Sequence, residues 1–188
     1  QLAAIYGDEL KNSEAAVGCW ERALEHAPED PAILVPLSAA FIDADRLDEA
    51  EPILTKLVEQ AGRRRSREVA GYYRHLAAIG RKRGDIDGAR KNYEQAQRID
   101  GTDTVTLIAL GEIYGEQGEW QSARRIYRSM LLQNLDDAKI GKADVFLNLG
   151  KVHEALGEAE KATSMYERGL SEDKDHQGLQ DALAKTPS

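Results

Sequence analysis

The sequence predicts an all-α fold, a stack of about five helix-turn-helix units closed by a short C-terminal helix. Three observations predict it. The first is one pattern written three times in one register: Gly84-Asp85-Ile86-Asp87-Gly88-Ala89 with Tyr93, Gly118-Glu119-Trp120-Gln121-Ser122-Ala123 with Tyr127, and Gly157-Glu158-Ala159-Glu160-Lys161-Ala162 with Tyr166. Each is a helix stop, an acidic restart, a small residue and an aromatic. The second is a ruler of alanines, Ala16, Ala50, Ala89, Ala123 and Ala162, spaced 34, 39, 34 and 39 residues apart. A recurring period of this kind marks a stacked helical array. The third is composition: 188 residues, 41% hydrophobic and 31% charged, can bury a core and keep a solvated surface.

Each landmark has a physical reason. Four residues past the ruler stand Trp20, Leu54, Tyr93, Tyr127 and Tyr166; seven past it stand Ala23, Leu57, Ala96, Met130 and Gly169. Thirteen before it stand Leu37, Leu76, Leu110 and Leu149, followed by the small residues Ser38, Ala77, Gly111 and Gly150. These spacings of three and four give a buried helical stripe. The small residues belong where two helices approach closely, because a larger side chain there would overpack the contact. Gly84, Gly118 and Gly157 supply the left-handed residue that ends a first helix. Asp45 takes that place in the second unit and tolerates the conformation better than most residues. Asp85 and Glu119 favour the start of the second helix through its positive end.

The expected helices run in pairs: 2–10 and 13–26, 31–44 and 47–61, 68–83 and 86–98, 104–117 and 120–133, 141–156 and 159–172. A closing helix over 176–185 carries Leu179 and Leu183 on one face, and Gln180, Asp181 and Lys185 suit the polar outer side of a terminal element. The first unit departs from the pattern. Lys11 stands at its turn, and its first helix is truncated or shifted by one residue. The two 39-residue spacings mark five-residue insertions, one around Gly62-Arg63-Arg64-Arg65-Ser66-Arg67 and one around Asn134 to Gly141.

On these residues the chain resembles the tetratricopeptide repeat (TPR) family over almost its full length. The resemblance implies a right-handed α-solenoid, a single array over 1–188 with units at about 1–30, 31–64, 70–103, 104–137 and 143–175 and a closing helix at 176–185. It also implies that the first helix of each unit lines a concave groove. The groove places then fall at Val35, Ala39 and Ile42; at Arg74, Ala78 and Arg81, with Lys82 adjacent; at Ile108, Glu112 and Gly115; and at Leu147, Lys151 and Glu154, with Asn148 beside them. The Lys and Asn pair with which some members grip a C-terminal carboxylate is not reproduced, since Val35 and Ala39 stand where it would begin.

Catalytic chemistry leaves no signature here. The chain has no phosphate-binding glycine loop, no dinucleotide fingerprint and no nucleophile elbow, so no enzyme activity and no cofactor are expected. His153-Glu154 opens like a metalloprotease helix, but Gly157 stands where the second histidine would be. His153 instead occupies the repeat's tyrosine position and is expected to pack between helices. Asp43-Ala44-Asp45 lacks the glycine of a calcium loop. The single cysteine, Cys19, excludes an internal disulfide and is expected to be a small buried hydrophobe.

Charge is the sharper signal. The chain carries −8, which argues against generic binding to nucleic acid or anionic membrane. No apolar run approaches the roughly 20 residues of a bilayer span. Yet Arg63 to Arg83 holds eight Lys or Arg (Arg63, Arg64, Arg65, Arg67, Arg74, Arg81, Lys82 and Arg83) against Glu68 alone, a net +7, so the rest of the chain carries −15.

The function expected is a protein-interaction scaffold. Its groove would take a peptide or partner helix with acidic residues for Arg74 and Arg81 and apolar ones for Val35, Ile42 and Ile108. Two other readings stand beside it. One is polyanion or nucleic-acid binding through Arg63 to Arg83, where Tyr72 is the one aromatic expected to be available for stacking. The other is self-association through exposed ends, with Leu2, Ile5 and Tyr6 stacking on a second copy. The chain begins at Gln1, which reads as a fragment or processed chain, and the compartment stays open.

Overall fold

The computed structural model describes residues 13–133, 135 and 140–185. The helix expected over 2–10, the turn at Lys11 and the end residues Leu2, Ile5 and Tyr6 lie outside these, as does most of the second insertion. The described residues form ten helices and no strand. They are α1 (Ser13–His26), α2 (Pro31–Asp43), α3 (Leu47–Ala61), α4 (Arg67–Lys82) and α5 (Ile86–Ile99), then α6 (Thr104–Glu116), α7 (Trp120–Met130), α8 (Lys142–Ala155), α9 (Ala159–Glu172) and α10 (Gln177–Lys185). Contacts divide the chain into two compact units, residues 1–99 and 100–188. In each, successive helices pack on one another, and in the second α10 also returns to α8.

One turn joins the pairs, and it is the turn the glycines announced. Gly84, Gly118 and Gly157 have φ of +80°, +73° and +73°, and Asp45 has +57°. The amide after each donates to the carbonyl five residues back: Asp85 to Gly80 at 2.9 Å, Glu119 to Tyr114 at 2.7 Å, Glu158 to His153 at 2.9 Å, and Arg46 to Phe41 at 2.8 Å. This is the Schellman closure, in which a left-handed residue lets two amides satisfy the carbonyls a helix end leaves open. Asp45 therefore substitutes for glycine within an unchanged turn, at the cost of holding a Cβ in the left-handed region.

The ruler residues are the core. Ala50, Ala89, Ala123 and Ala162 are fully buried, and Ala16 nearly so. Leu37, Leu110 and Leu149 are buried beside them, whereas Leu76 is only half-buried against the core formed by α1 to α4. Two glycines of the second unit show how close the approach is. A Cβ built on Gly111 would stand 2.5 Å from Cζ of Tyr127, and one on Gly150 would stand 2.0 Å from Cε1 of Tyr166. The tyrosine ring fills the place a side chain would need.

The boundaries hold with one substantial exception. The helix expected over 120–133 ends at Met130, and the chain then turns, leaving Leu132 at 89% exposure. Two other expectations are corrected or refined. Cys19 is half-buried rather than buried, and its Sγ accepts from the Arg22 guanidinium at 3.6 Å. His153 is buried as expected, and its Nδ1 lies 2.5 Å from Oε2 of Glu158, the residue that opens the next helix.

Candidate functional site

In the first unit, α2 and α4 face one another across a groove of about 750 Å³. The wall from α2 is mostly apolar: Pro31, Ala32, Val35, Pro36, Ala39 and Ile42, with Ser38 its one polar residue. Asp30 starts that helix, its Oδ1 accepting from the Ala32 amide at 2.9 Å, with proline at the first position where no amide is needed. Pro36 lies inside the helix and has no amide to give the Ala32 carbonyl, which loses its usual helical partner on the groove wall. The wall from α4 is polar: Arg67, Glu68, Tyr72, Arg74 and His75. Ser66 caps α4, its Oγ accepting from the Val69 amide at 3.4 Å.

The groove therefore gathers Val35, Ala39, Ile42 and Arg74 from the expected stripe. Val35 is 37% exposed, Ala39 is exposed, and Ile42 is half-buried against the core. Arg74 is half-buried and already engaged within the molecule. Ala78, Arg81 and Lys82 lie further along α4, outside this lining. Tyr72 is half-buried on the core rather than free for stacking, and burial, followed by the nearby Glu68 charge, raises its pKa. Tyr72, His75, Pro31 and Pro36 were missed as lining residues. Their signal was present, since each sits within a turn of a stripe position on the same helix.

The stripe residues of the second unit are placed separately. On α6, Ile108 is half-buried and Glu112 is exposed but engaged within the molecule. On α8, Asn148 is half-buried and Lys151 exposed. That unit also contains a charged junction. Glu158 accepts from Lys161 Nζ at 3.0 Å, with His153 close by and Arg124 at 3.7 Å. The hydrogen bond from Lys161, then that from His153, lowers the Glu158 pKa.

The basic stretch is not one patch. Lys82 pairs with Asp45, and Arg83 pairs with both Asp48 and Glu51, so this end of α4 is matched to acids on the preceding turn and α3. Arg63, Arg64, Arg65 and Arg67 lie at the other end and are exposed. The two ends of a 16-residue helix stand roughly 22 Å apart. A continuous cationic track over Arg63 to Arg83, as polyanion binding would need, is thus broken. Among the described residues, no cluster of His, Cys, Asp and Glu could hold a metal, and no helix is long and apolar enough to cross a membrane.

Models of the tetratricopeptide repeat match residues 8–65, 81–143 and 143–176. Cellulose synthase operon protein C of Xanthomonas axonopodis pv. citri (strain 306) is 29% identical over 164 residues, covering 81% of this chain and 11% of that protein. The chain thus spans about a tenth of the relative's length. Among solved structures, MamA superposes with a TM-score of 0.75 at 17% identity, over 92% of this chain and 88% of that one. YrrB, described as a TPR protein with an unusual peptide-binding site, gives 0.76 at 19%, over 97% and 88%. The pilF protein of Pseudomonas aeruginosa gives 0.73 at 14%, over 98% and 79%. At these identities the structural likeness speaks to fold alone. Helix pairs of this length, joined by one recurring turn and matched by repeat models across 8–65 and 81–176, have one source: this chain belongs to the tetratricopeptide repeat family.

Proposed function

We propose that the chain binds a protein segment in the groove between α2 and α4. The repeat architecture is that of a protein–protein interaction scaffold, and its family is characteristically non-catalytic. The observation that carries the finer reading is the asymmetry of the groove. An apolar wall offers Val35, Ala39 and Ile42, while the opposite wall offers Arg67, Arg74 and His75 around the single acid Glu68. A segment with apolar residues on one side and a carboxylate on the other complements both walls. Burying the apolar side supplies affinity, at about 25 cal/mol per Å² before ordering costs. The carboxylate sets orientation through charge-assisted hydrogen bonds, joining or exchanging with the contacts Arg74 already makes.

Two likenesses support this reading. The structural neighbour YrrB is described as having a peptide-binding site. The relative in Xanthomonas is named for a cellulose synthase operon, and by that likeness the partner would be a protein of a polysaccharide-synthesis apparatus. Peptides selected against the chain from a random library test the proposal. They are expected to be apolar with an acidic residue, and to bind Ala39→Glu and Arg74→Glu at least about tenfold more weakly, roughly 1.4 kcal/mol. Equal affinity for wild type and both variants would remove the groove from the account.

A further inference from the structure

The first insertion builds a second concavity in the same unit. Gly62 ends α3 with φ of +57°, and the Arg64 amide donates to the Ala61 carbonyl at 3.0 Å, so the chain doubles back before Ser66 starts α4. This loop and the last turn of α5 line an open concavity of about 420 Å³. Its lining includes Arg63, Arg64 and Arg65 from the loop, Arg98 from α5, and the apolar faces of Tyr73 and Ile99. The volume falls within the range of small-ligand sites, about 300–1,000 Å³. Among the described residues none of these four arginines forms an ion pair with a carboxylate. The contrast with Arg46, which meets Glu14, Glu21 and Glu49, and with Arg83, which meets Asp48 and Glu51, is direct.

Four like charges around one concavity repel one another, and in a chain of −8 acids to offset them are plentiful elsewhere. An oxyanion placed among them removes that repulsion and accepts paired hydrogen bonds from planar guanidinium groups, the geometry for which arginine suits phosphate better than lysine does. Tyr73 and Ile99 give one side a surface on which a flat or apolar group can rest. We infer that the arginine pocket formed by the 62–66 loop and the end of α5 binds a phosphoryl oxyanion carried on a small ligand with a flat or apolar part. The site is compact, which separates it from a polymer track along α4.

Titration calorimetry with inorganic phosphate and phenyl phosphate, at about 0.15 M salt to screen loose surface attraction, tests the assignment. Phenyl phosphate is expected to bind with Kd below about 1 mM, more tightly than inorganic phosphate. Arg64→Ala with Arg98→Ala should weaken it at least about tenfold, with Arg64→Lys falling between, because lysine keeps the charge and loses the paired donors. Arg63→Ala with Arg65→Ala provides a second disruption if the first pair changes the helical circular dichroism. Equal affinity of the folded variants and wild type would overturn the proposal. So would a single-stranded oligonucleotide that binds more tightly per phosphate than phenyl phosphate, since that would mark a polymer surface.

Discussion

The two compact units keep the repeat differently. In residues 100–188 the close approaches are glycine against tyrosine, Gly111 on Tyr127 and Gly150 on Tyr166, and both turns have glycine at the left-handed place. In residues 1–99 the corresponding small residues are Ser38 and Ala77, one turn uses Asp45, two helices contain proline at Pro36 and Pro52, and an arginine loop is inserted. The second unit has an insertion too, around Asn134 to Gly141, but its described helix contacts keep the regular glycine–tyrosine fit. The irregular one carries the apolar groove and the arginine pocket. In a repeat protein the shared residues make the frame, and what distinguishes one chain from its relatives is concentrated where the pattern is broken.

The steepest loss of stability should come from a methyl placed where the regular unit has none. Gly150→Ala would place a Cβ on the Tyr166 ring and should cost about 3 kcal/mol or more in thermal unfolding, whereas Ala39→Glu, on the groove wall of the irregular unit, should leave stability within about 0.5 kcal/mol. A Gly150→Ala protein as stable as wild type would deny that the ring and glycine are mutually fitted. Next in size is the turn. Gly118→Ala meets no clash nearer than the Trp120 nitrogen at 4.0 Å but keeps a positive φ, so it should cost about 1–2 kcal/mol by backbone strain alone. Asp45→Gly removes that strain from the matching turn while losing the exposed pair with Lys82, and should change stability by less than about 1 kcal/mol.

Smaller still is the ion matching at the turn end of α4. Lys82→Ala with Arg83→Ala should lower the melting temperature only slightly, and added salt should shrink the difference from wild type. A cost that salt leaves untouched would point to packing rather than charge. The pH dependence has a defined sign at Glu158. Its folded-state pKa is lowered by Lys161 and then His153, so its contribution is present above the ordinary glutamate range and is lost as pH falls through the folded value. Thermal melts from about pH 7 to pH 3 should therefore show a steeper loss for wild type than for Glu158→Gln. Parallel curves would mean the junction contributes nothing.

Much of the frame was legible because each landmark answers to a local demand. A positive φ calls for glycine or aspartate, and a close helix approach calls for a residue without bulk, so the ruler from Ala16 to Ala162 located nine of the described helices to within two residues at each end. The end of α7 was not legible, because Leu131 and Leu132 suit a helix, yet the chain turns after Met130. The site was legible only in part. Val35, Ala39 and Ile42 fell on one stripe of α2, and Arg74 on the equivalent stripe of α4, because helical periodicity orders residues along a face. The division of the basic run was not, because Arg83 meets Asp48 and Glu51, which lie more than thirty residues away in sequence. Nor could the sequence alone bring Arg98 beside Arg63, Arg64 and Arg65, since that depends on how the inserted loop folds back on α5.

The claim at the centre is that the irregular unit binds a protein segment through the α2–α4 groove. The direct measurement is the affinity of a library-selected peptide for wild type and for the Ala39→Glu, Arg74→Glu double variant, taken with the melting temperature of each. Binding at least about tenfold weaker, with little change in melting temperature, is expected. Undiminished binding by a stably folded double variant would contradict it.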